Sequence, residues 1–192
     1  TYDNSGAVIG VPSEGFFGGK LDDRKLAECP AEERYGMVFV LAQPGGTMDL
    51  DAHLGSFGVE MERLEFTRSE PVLEGRFQST SNWKFAMDTY LESYHLPSLH
   101  GSTFANVFES NLFLLDMFGP HYRFTFPHKG LEKWIGQPEE DWPVDALPLT
   151  YFLFPNTIIA VGSVSATGSS FTTHRLFPTG VGEMYASVRM YA

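Results

Sequence analysis

Asn82-Trp83-Lys84-Phe85-Ala86-Met87-Asp88-Thr89-Tyr90-Leu91-Glu92-Ser93-Tyr94-His95-Leu96-Pro97-Ser98-Leu99-His100 is the stretch that decides how this chain is read. It sets two imidazoles and a carboxylate around a proline. Imidazole nitrogen suits divalent iron, copper and zinc, and two histidines leave room for a third ligand and for open positions. On an unbroken helix, side chains meet at spacings of three or four, so His95 and His100 would diverge. Pro97 disfavours helical backbone at Leu96. The expected geometry is a helix from about Trp83 to Tyr94, ending near His95, then a turn that brings His100 back. Ser81 is the expected cap, in an incomplete capping box because Lys84 stands where an acidic residue would. Spacing alone leaves two readings open: a metal site, or histidines that cap and line a helix end.

Beyond His100, Asn111–Met117, His121–Pro127, Leu149–Phe154, Thr157–Val164, Ser170–Phe177 and Glu183–Tyr191 are rich in aromatic and β-branched residues and bounded by Gly, Pro or Asn. They read as strands. Glu132–Trp142 is polar, a surface helix or loop. Before the central stretch, Glu60–Phe77 alternates closely enough for two strands turning near Ser69-Glu70-Pro71, and Asp49–Phe57 reads as a short helix. Arg34–Leu41 reads as one buried apolar strand. Gln43-Pro44-Gly45-Gly46 is the expected domain boundary, because it cannot extend a strand. One long helix beside many antiparallel strands indicates an α+β fold in which the sheet curls around the helix.

Composition narrows the function classes. A formal net charge of −11 leaves little to neutralise phosphates and argues against nucleic acid. No charge-free apolar run approaches bilayer length, and no basic region followed by an apolar block marks a secretion signal. With 43% hydrophobic residues and 17 phenylalanines, the chain can build a bulky apolar interior or pocket. The single cysteine, Cys29, excludes an internal disulfide and fits a cytoplasmic protein. Glu28, Glu32 and Glu33 nearby disfavour its thiolate, so it reads as structural.

Asn82-Trp83-Lys84, then Tyr90-Leu91-Glu92-Ser93-Tyr94-His95 and His100, resembles the iron-site segment of the catalytic subunit of Rieske non-haem iron ring-hydroxylating oxygenases. Position by position, His95 and His100 resemble two ligands of the mononuclear iron. Glu92 resembles the acidic residue that bridges electron flow from a neighbouring subunit's Rieske cluster. Asp88-Thr89 departs from the Glu-Asn usual in the family, so the surroundings of the iron differ at Thr89. Thr1–Gly6 with Val8–Pro12, and Glu33–Val40, resemble the end of a Rieske domain, and Phe154-Pro155-Asn156 resembles a recurrent catalytic-domain turn. A Rieske cluster needs two cysteines and two histidines, so one cysteine cannot hold it.

The resemblance implies a helix-grip (Bet v 1-like) catalytic domain over 46–192, preceded at 1–45 by the remainder of a Rieske [2Fe-2S] domain. It implies Fe(II) at His95 and His100, with the carboxylate ligand outside the chain and the cluster present only in the full-length protein. NAD(P)H would supply electrons through a ferredoxin or flavin reductase, and the oligomer would be a homotrimer or a multiple of it. Dioxygen would then hydroxylate or oxidatively demethylate a small organic substrate, aromatic ones included. The chain alone is expected to be inactive.

Physical chemistry supports parts of this. Two histidines and a carboxylate leave adjacent positions open for dioxygen. Glu92 is near enough to hydrogen-bond a ligand imidazole and fix its tautomer. Asp88, four residues before it, is a second relay group or an exposed charge. Asp116, Asp141 and Asp145 are the internal carboxylates that could complete the site, none with a local signature. His53, His121, His128 and His174 read as strand or surface residues. Phe104, Phe108, Phe113, Phe152, Phe154 and Phe171 are candidate lining of an apolar pocket, with ordinary core packing as the alternative. A non-catalytic carrier of an apolar ligand on the same fold stands as the alternative function, and a structural zinc site is weaker without a nearby cysteine.

Overall fold

The computed structural model describes residues 1–18, 24–143, 147–165 and 168–192, with only the backbone at 104, 163–165, 168 and 169. Two compact units divide it, Thr1–His53 and Leu54–Ala192.

In the first unit, β1 (Ala31–Arg34) pairs antiparallel with β2 (Met37–Val40). Tyr35 and Gly36 both take positive φ, 54° and 73°, the two-residue turn that matches strand twist. This replaces the single buried strand expected over Arg34–Leu41. Tyr35 gave no turn signal, and Val38 and Val40 are exposed. Arg34 spans to Glu32 and Asp51.

A short helix, α1 (Leu50–Leu54), falls at the unit boundary. The second unit then runs through α2 (Phe57–Arg63), β3 (Pro71–Ser79), α3 (Trp83–Tyr90), α4 (Leu96–Leu99), β4 (Leu114–Phe118), β5 (His121–Thr125), β6 (Leu149–Leu153), β7 (Thr157–Ser165), β8 (Gly168–Gly180) and β9 (Glu183–Tyr191). Strands β3 to β9 form one antiparallel sheet in the order β3-β9-β8-β7-β6-β5-β4. The mixed helix and antiparallel-sheet class expected from the sequence is present. The strand expected at the start of Glu60–Phe77 is instead α2 with a 3-10 turn at Phe66–Arg68. Phe57, Met61 and Leu64, at helical spacing, are buried.

Strand periodicity of two assigns side chains to the sheet's two faces. On one, α3 lays Trp83, Ala86, Met87, Tyr90 and Leu91 over Phe152, Ile158, Leu176 and Met184. Burying side chains such as Ile158 and Leu176 contributes about 1.5–3 kcal/mol each. On the other, α2 and the 3-10 turn place Phe57 on His121, Phe118 and Tyr151, and Phe66 on Phe171 and Tyr191.

α3 is eight residues long and stops at Tyr90, four residues short of the expected end. Its cap is Asn82 rather than Ser81: the Asn82 side-chain oxygen accepts from the Lys84 N–H (2.9 Å), and its amide donates to the Val181 carbonyl (2.7 Å). The cap therefore also ties the helix start to the β8–β9 turn.

Candidate metal centre

The chain leaves α3 at Leu91, whose N–H donates to the Asp88 carbonyl. Glu92 then starts a new turn. One carboxylate oxygen accepts the His95 backbone N–H (3.1 Å), and the other accepts from His95 Nδ1 (2.5 Å). His95 is the first cap of α4, and Pro97 sits within that helix's first turn, where its missing N–H costs nothing. Pro97 thus helps to start a helix here instead of ending one. The Leu99 N–H donates back to the His95 carbonyl (2.8 Å), and the His100 N–H to the Leu96 carbonyl (2.9 Å). This single tight turn brings the two rings together, with centroids 5.4 Å apart and planes crossing at 72°. A continuous helix would have spread them. Ser93 anchors the turn by donating to the Ser110 carbonyl (2.8 Å).

A carboxylate only accepts, so His95 Nδ1 carries a proton, and in the neutral imidazole the lone pair is on Nε2. The His95 side chain is 21% exposed and that of Glu92 38%. An imidazole held this way is the usual form of a metal-binding histidine. The donor set therefore fits a divalent metal through two imidazoles. No group of three His, Cys, Asp or Glu able to hold a metal occurs among the described residues. Asp116 is ion-paired with Arg123 (2.8 Å), Asp141 is exposed in a 3-10 turn, and Asp145 lies outside the described residues.

The other sequence candidates scatter. Asp88 is exposed on α3 while Glu92 lies beyond the helix end, so the shared helix face expected for them does not form. Thr89 is exposed and its hydroxyl donates to the Ala86 carbonyl (2.7 Å). Phe108 packs edge-on to His128 (4.9 Å), in a bridge between their segments. Phe113 packs on Phe124 and Phe126, both at 5.5 Å. Phe154 is 46% exposed and meets Phe152 edge-on. The side chain of Phe104 lies outside the described residues. Cys29 is a half-buried free thiol.

Two polar clusters escaped the sequence reading. His121 is fully buried, stacked on Phe57 at 4.7 Å, and its Nδ1 accepts the Phe154 N–H (3.1 Å). Glu60, 7% exposed, accepts from Arg63 (2.9 Å), Arg123 (2.8 Å) and the Tyr151 hydroxyl (3.3 Å). Burial first, and then Glu60, pushes Tyr151 up to about 12, so its hydroxyl stays a donor. The second cluster is Tyr90 with His174: the hydroxyl and Nδ1 are 3.0 Å apart. Burial raises the pKa of Tyr90 and lowers that of His174. Eighty-four residues separate the two, and nothing local to either predicts the contact.

The profile described as ring hydroxylating alpha subunit (catalytic domain) matches residues 61–192. Among solved structures, the chain is similar to the quaternary ammonium Rieske monooxygenase CntA in complex with an inhibitor (15% identity, TM-score 0.74, 99% of this chain and 49% of that one). It is also similar to naphthalene 1,2-dioxygenase from Rhodococcus sp. bound to indole (17% identity, TM-score 0.66, 100% and 52%). A third is dicamba monooxygenase bound to dicamba (15% identity, TM-score 0.52, 99% and 56%). At these identities the likeness is one of fold, and the chain spans about half the length of those proteins. No match is found among curated protein sequences. No helix among the described residues is long and apolar enough to cross a membrane. With 61–192 covered by the profile, the chain belongs to the ring hydroxylating alpha subunit family, in its catalytic domain.

Proposed function

We propose that this chain is part of the oxygenase component of a Rieske-type non-haem iron enzyme, with His95 and His100 as ligands of a mononuclear ferrous iron. One observation carries the reading: Glu92 holds His95 Nδ1 at 2.5 Å, which leaves Nε2 to a metal, beside a second imidazole 5.4 Å away. Iron held there by His95 and His100 would supply open coordination positions for activating dioxygen beside an organic substrate. Glu92 fixes the His95 tautomer and ring plane. Partly exposed, the same carboxylate could link His95 by hydrogen bond to an electron donor outside this chain, without itself being reduced, and this is its bridging role in the reading. Asp88, exposed near the end of α3, is a second relay group or an exposed charge.

Other parts of the proposal are extensions of the family resemblance. The sheet with α3 forms the helix-grip core of the catalytic domain, and 1–45 are the end of a Rieske domain. The [2Fe-2S] cluster belongs to the full-length protein, a reductase or ferredoxin passes electrons from NAD(P)H, and the assembly is a homotrimer or a multiple of it in the cytoplasm. The similar solved structures are a quaternary ammonium monooxygenase, a naphthalene dioxygenase and a dicamba monooxygenase, which supports mono- or dioxygenation as the reaction; hydroxylation or oxidative demethylation of a small organic substrate is the finer proposal. The test is His95→Ala in the full-length protein. Loss of mononuclear iron and of NAD(P)H-dependent substrate oxidation, with cluster absorption retained, is expected; unchanged iron content and turnover contradict the proposal.

A further inference from the structure

β3 is an edge of the sheet: β9 pairs with one side of it, and no strand among the described residues pairs with the other. The strand is exposed along most of its length, Leu73 at 64% and Phe77 at 60%. The registers Leu73↔Met190, Gly75↔Val188, Phe77↔Ala186 and Ser79↔Met184 put Leu73, Gly75 and Phe77 on the face that α3 covers. α3 packs over Met184 and Ala186 but leaves Leu73 and Phe77 bare. Glu74 and Arg76 belong to the opposite face, and both are exposed. One carboxylate oxygen of Glu74 meets Arg189 of β9 at 3.2 Å. An exposed edge is a template for another strand, and proteins blunt it with charges. Here the two charges have opposite signs.

A second copy of β3 complements the first in one register. A two-fold axis normal to the sheet must pass through a residue, because residues opposite each other in an antiparallel pair share a face. Gly75 is the middle residue of Pro71–Ser79. With the axis there, the two strands overlap along their whole length. Glu74 then faces Arg76 of the second copy, Leu73 faces its Phe77, and each pair occurs twice. An axis at Glu74 or at Arg76 would set like charges directly opposite, which is destabilising. Gly75 suits the axis in another way. A Cβ there would lie 3.3 Å from the tip of the Phe77 ring, so the ring already covers the glycine. Pairing brings both rings together over the two glycines. A net charge of −11 makes copies of this chain repel in general, and a strand that carries one charge of each sign is a place where they can meet. The other edge strand, β4, has no such code: its single charge, Asp116, is tied to Arg123 of β5.

We infer that β3 is a contact surface between two copies of this chain, which pair antiparallel about Gly75 and join their seven-stranded sheets into one. Main-chain hydrogen bonds along the edge supply affinity, and the Glu74–Arg76 and Leu73–Phe77 pairs fix the register. Both α3 helices lie on the same side of the joined sheet. A contact of this symmetry closes on itself and stops at two chains. It is therefore separate from any trimer contact of the proposed oxygenase, and with both in place two trimers join as a hexamer. The inference goes beyond the proposed function and needs neither iron nor substrate.

The mass of the full-length protein in solution, from sedimentation equilibrium, tests the pairing. The wild type is expected to hold an even number of chains. Arg76→Glu leaves only acidic charge on β3 and Glu74→Arg only basic charge, so each variant alone should halve the mass. Mixed in equal amounts, the two should return to the wild-type mass, because an acidic β3 then faces a basic one. A surface that had merely been damaged would not recover in this way. Should either variant not fold, Gly75→Cys on a Cys29→Ser background decides. Residue 75 faces its own copy, so mild oxidation should link chains in pairs, while Cys29→Ser alone stays unlinked. A wild type with an odd number of chains, a mass indifferent to both substitutions, a mixture that stays dissociated, or no linked pairs overturns the inference. Failure of the oxygenase reading looks different: a wild type of two chains that binds no iron leaves the β3 contact standing.

Discussion

On the side of the sheet covered by α2, the buried carboxylate of Glu60 is met by Arg63, Arg123 and Tyr151, and His121 by the Phe57 ring and the Phe154 N–H. On the side covered by α3, His174 meets the Tyr90 hydroxyl, and just past the helix end Glu92 meets His95. The first set of groups is tied off inside the protein and holds layers together. The second includes a histidine, His95, whose Nδ1 is held by Glu92 and whose other ring nitrogen is left for a ligand. Paired and buried polar groups are a structural signature; oriented ones with an open nitrogen indicate a site.

The comparison breaks most visibly at Glu60. Glu60→Ala should destabilise the second unit by about 3 kcal/mol, because Arg123 loses a buried partner. It should leave iron affinity unchanged, as denaturant unfolding and iron titration would show. Loss of iron from this variant would erase the distinction between the two sides. Glu92→Gln should do the reverse. Its carboxylate is partly exposed, so unfolding should shift little, while iron affinity falls about 10–100-fold as His95 loses the partner on Nδ1. Asn82→Ala removes the α3 cap and the tie to Val181, and should cost about 1 kcal/mol in unfolding experiments.

The smallest effect concerns acid. Burial lowers the pKa of His174 in the folded state, so between that value and the unfolded one near 6.5 the unfolded chain binds more protons. Stability must then fall as pH drops below about 6.5. His174→Gln should lose less stability than the wild type between pH 7.5 and 5.5; an identical loss would show that His174 does not feel its burial.

Much of this was legible before folding. The strands from Leu149 onward announce themselves because β-branched and aromatic runs are cut by Asn156 and by Gly180 and Gly182 at the turns. The proximity of Glu92, His95 and His100 was legible from spacing and from the family resemblance. The route by which they meet was not. Pro97 reads as a stop signal, yet Glu92 accepts the His95 N–H and opens a fresh turn in which a proline at the second position is harmless. In α2, the alternation Val59-Glu60-Met61-Glu62 imitates a strand, and only packing of Phe57, Met61 and Leu64 on the sheet decides for helix. The Tyr90–His174 contact depends on strand register 84 residues away, which no local pattern carries.

The central claim is that His95 Nε2, freed by Glu92, and His100 hold a mononuclear iron. Anomalous scattering at the iron edge, from crystals of the full-length protein, tests it directly. The account predicts an iron peak bonded to Nε2 of His95 and to the His100 ring, with Glu92 still on Nδ1. Iron elsewhere, or bound to His95 through Nδ1 with Glu92 displaced, would contradict it.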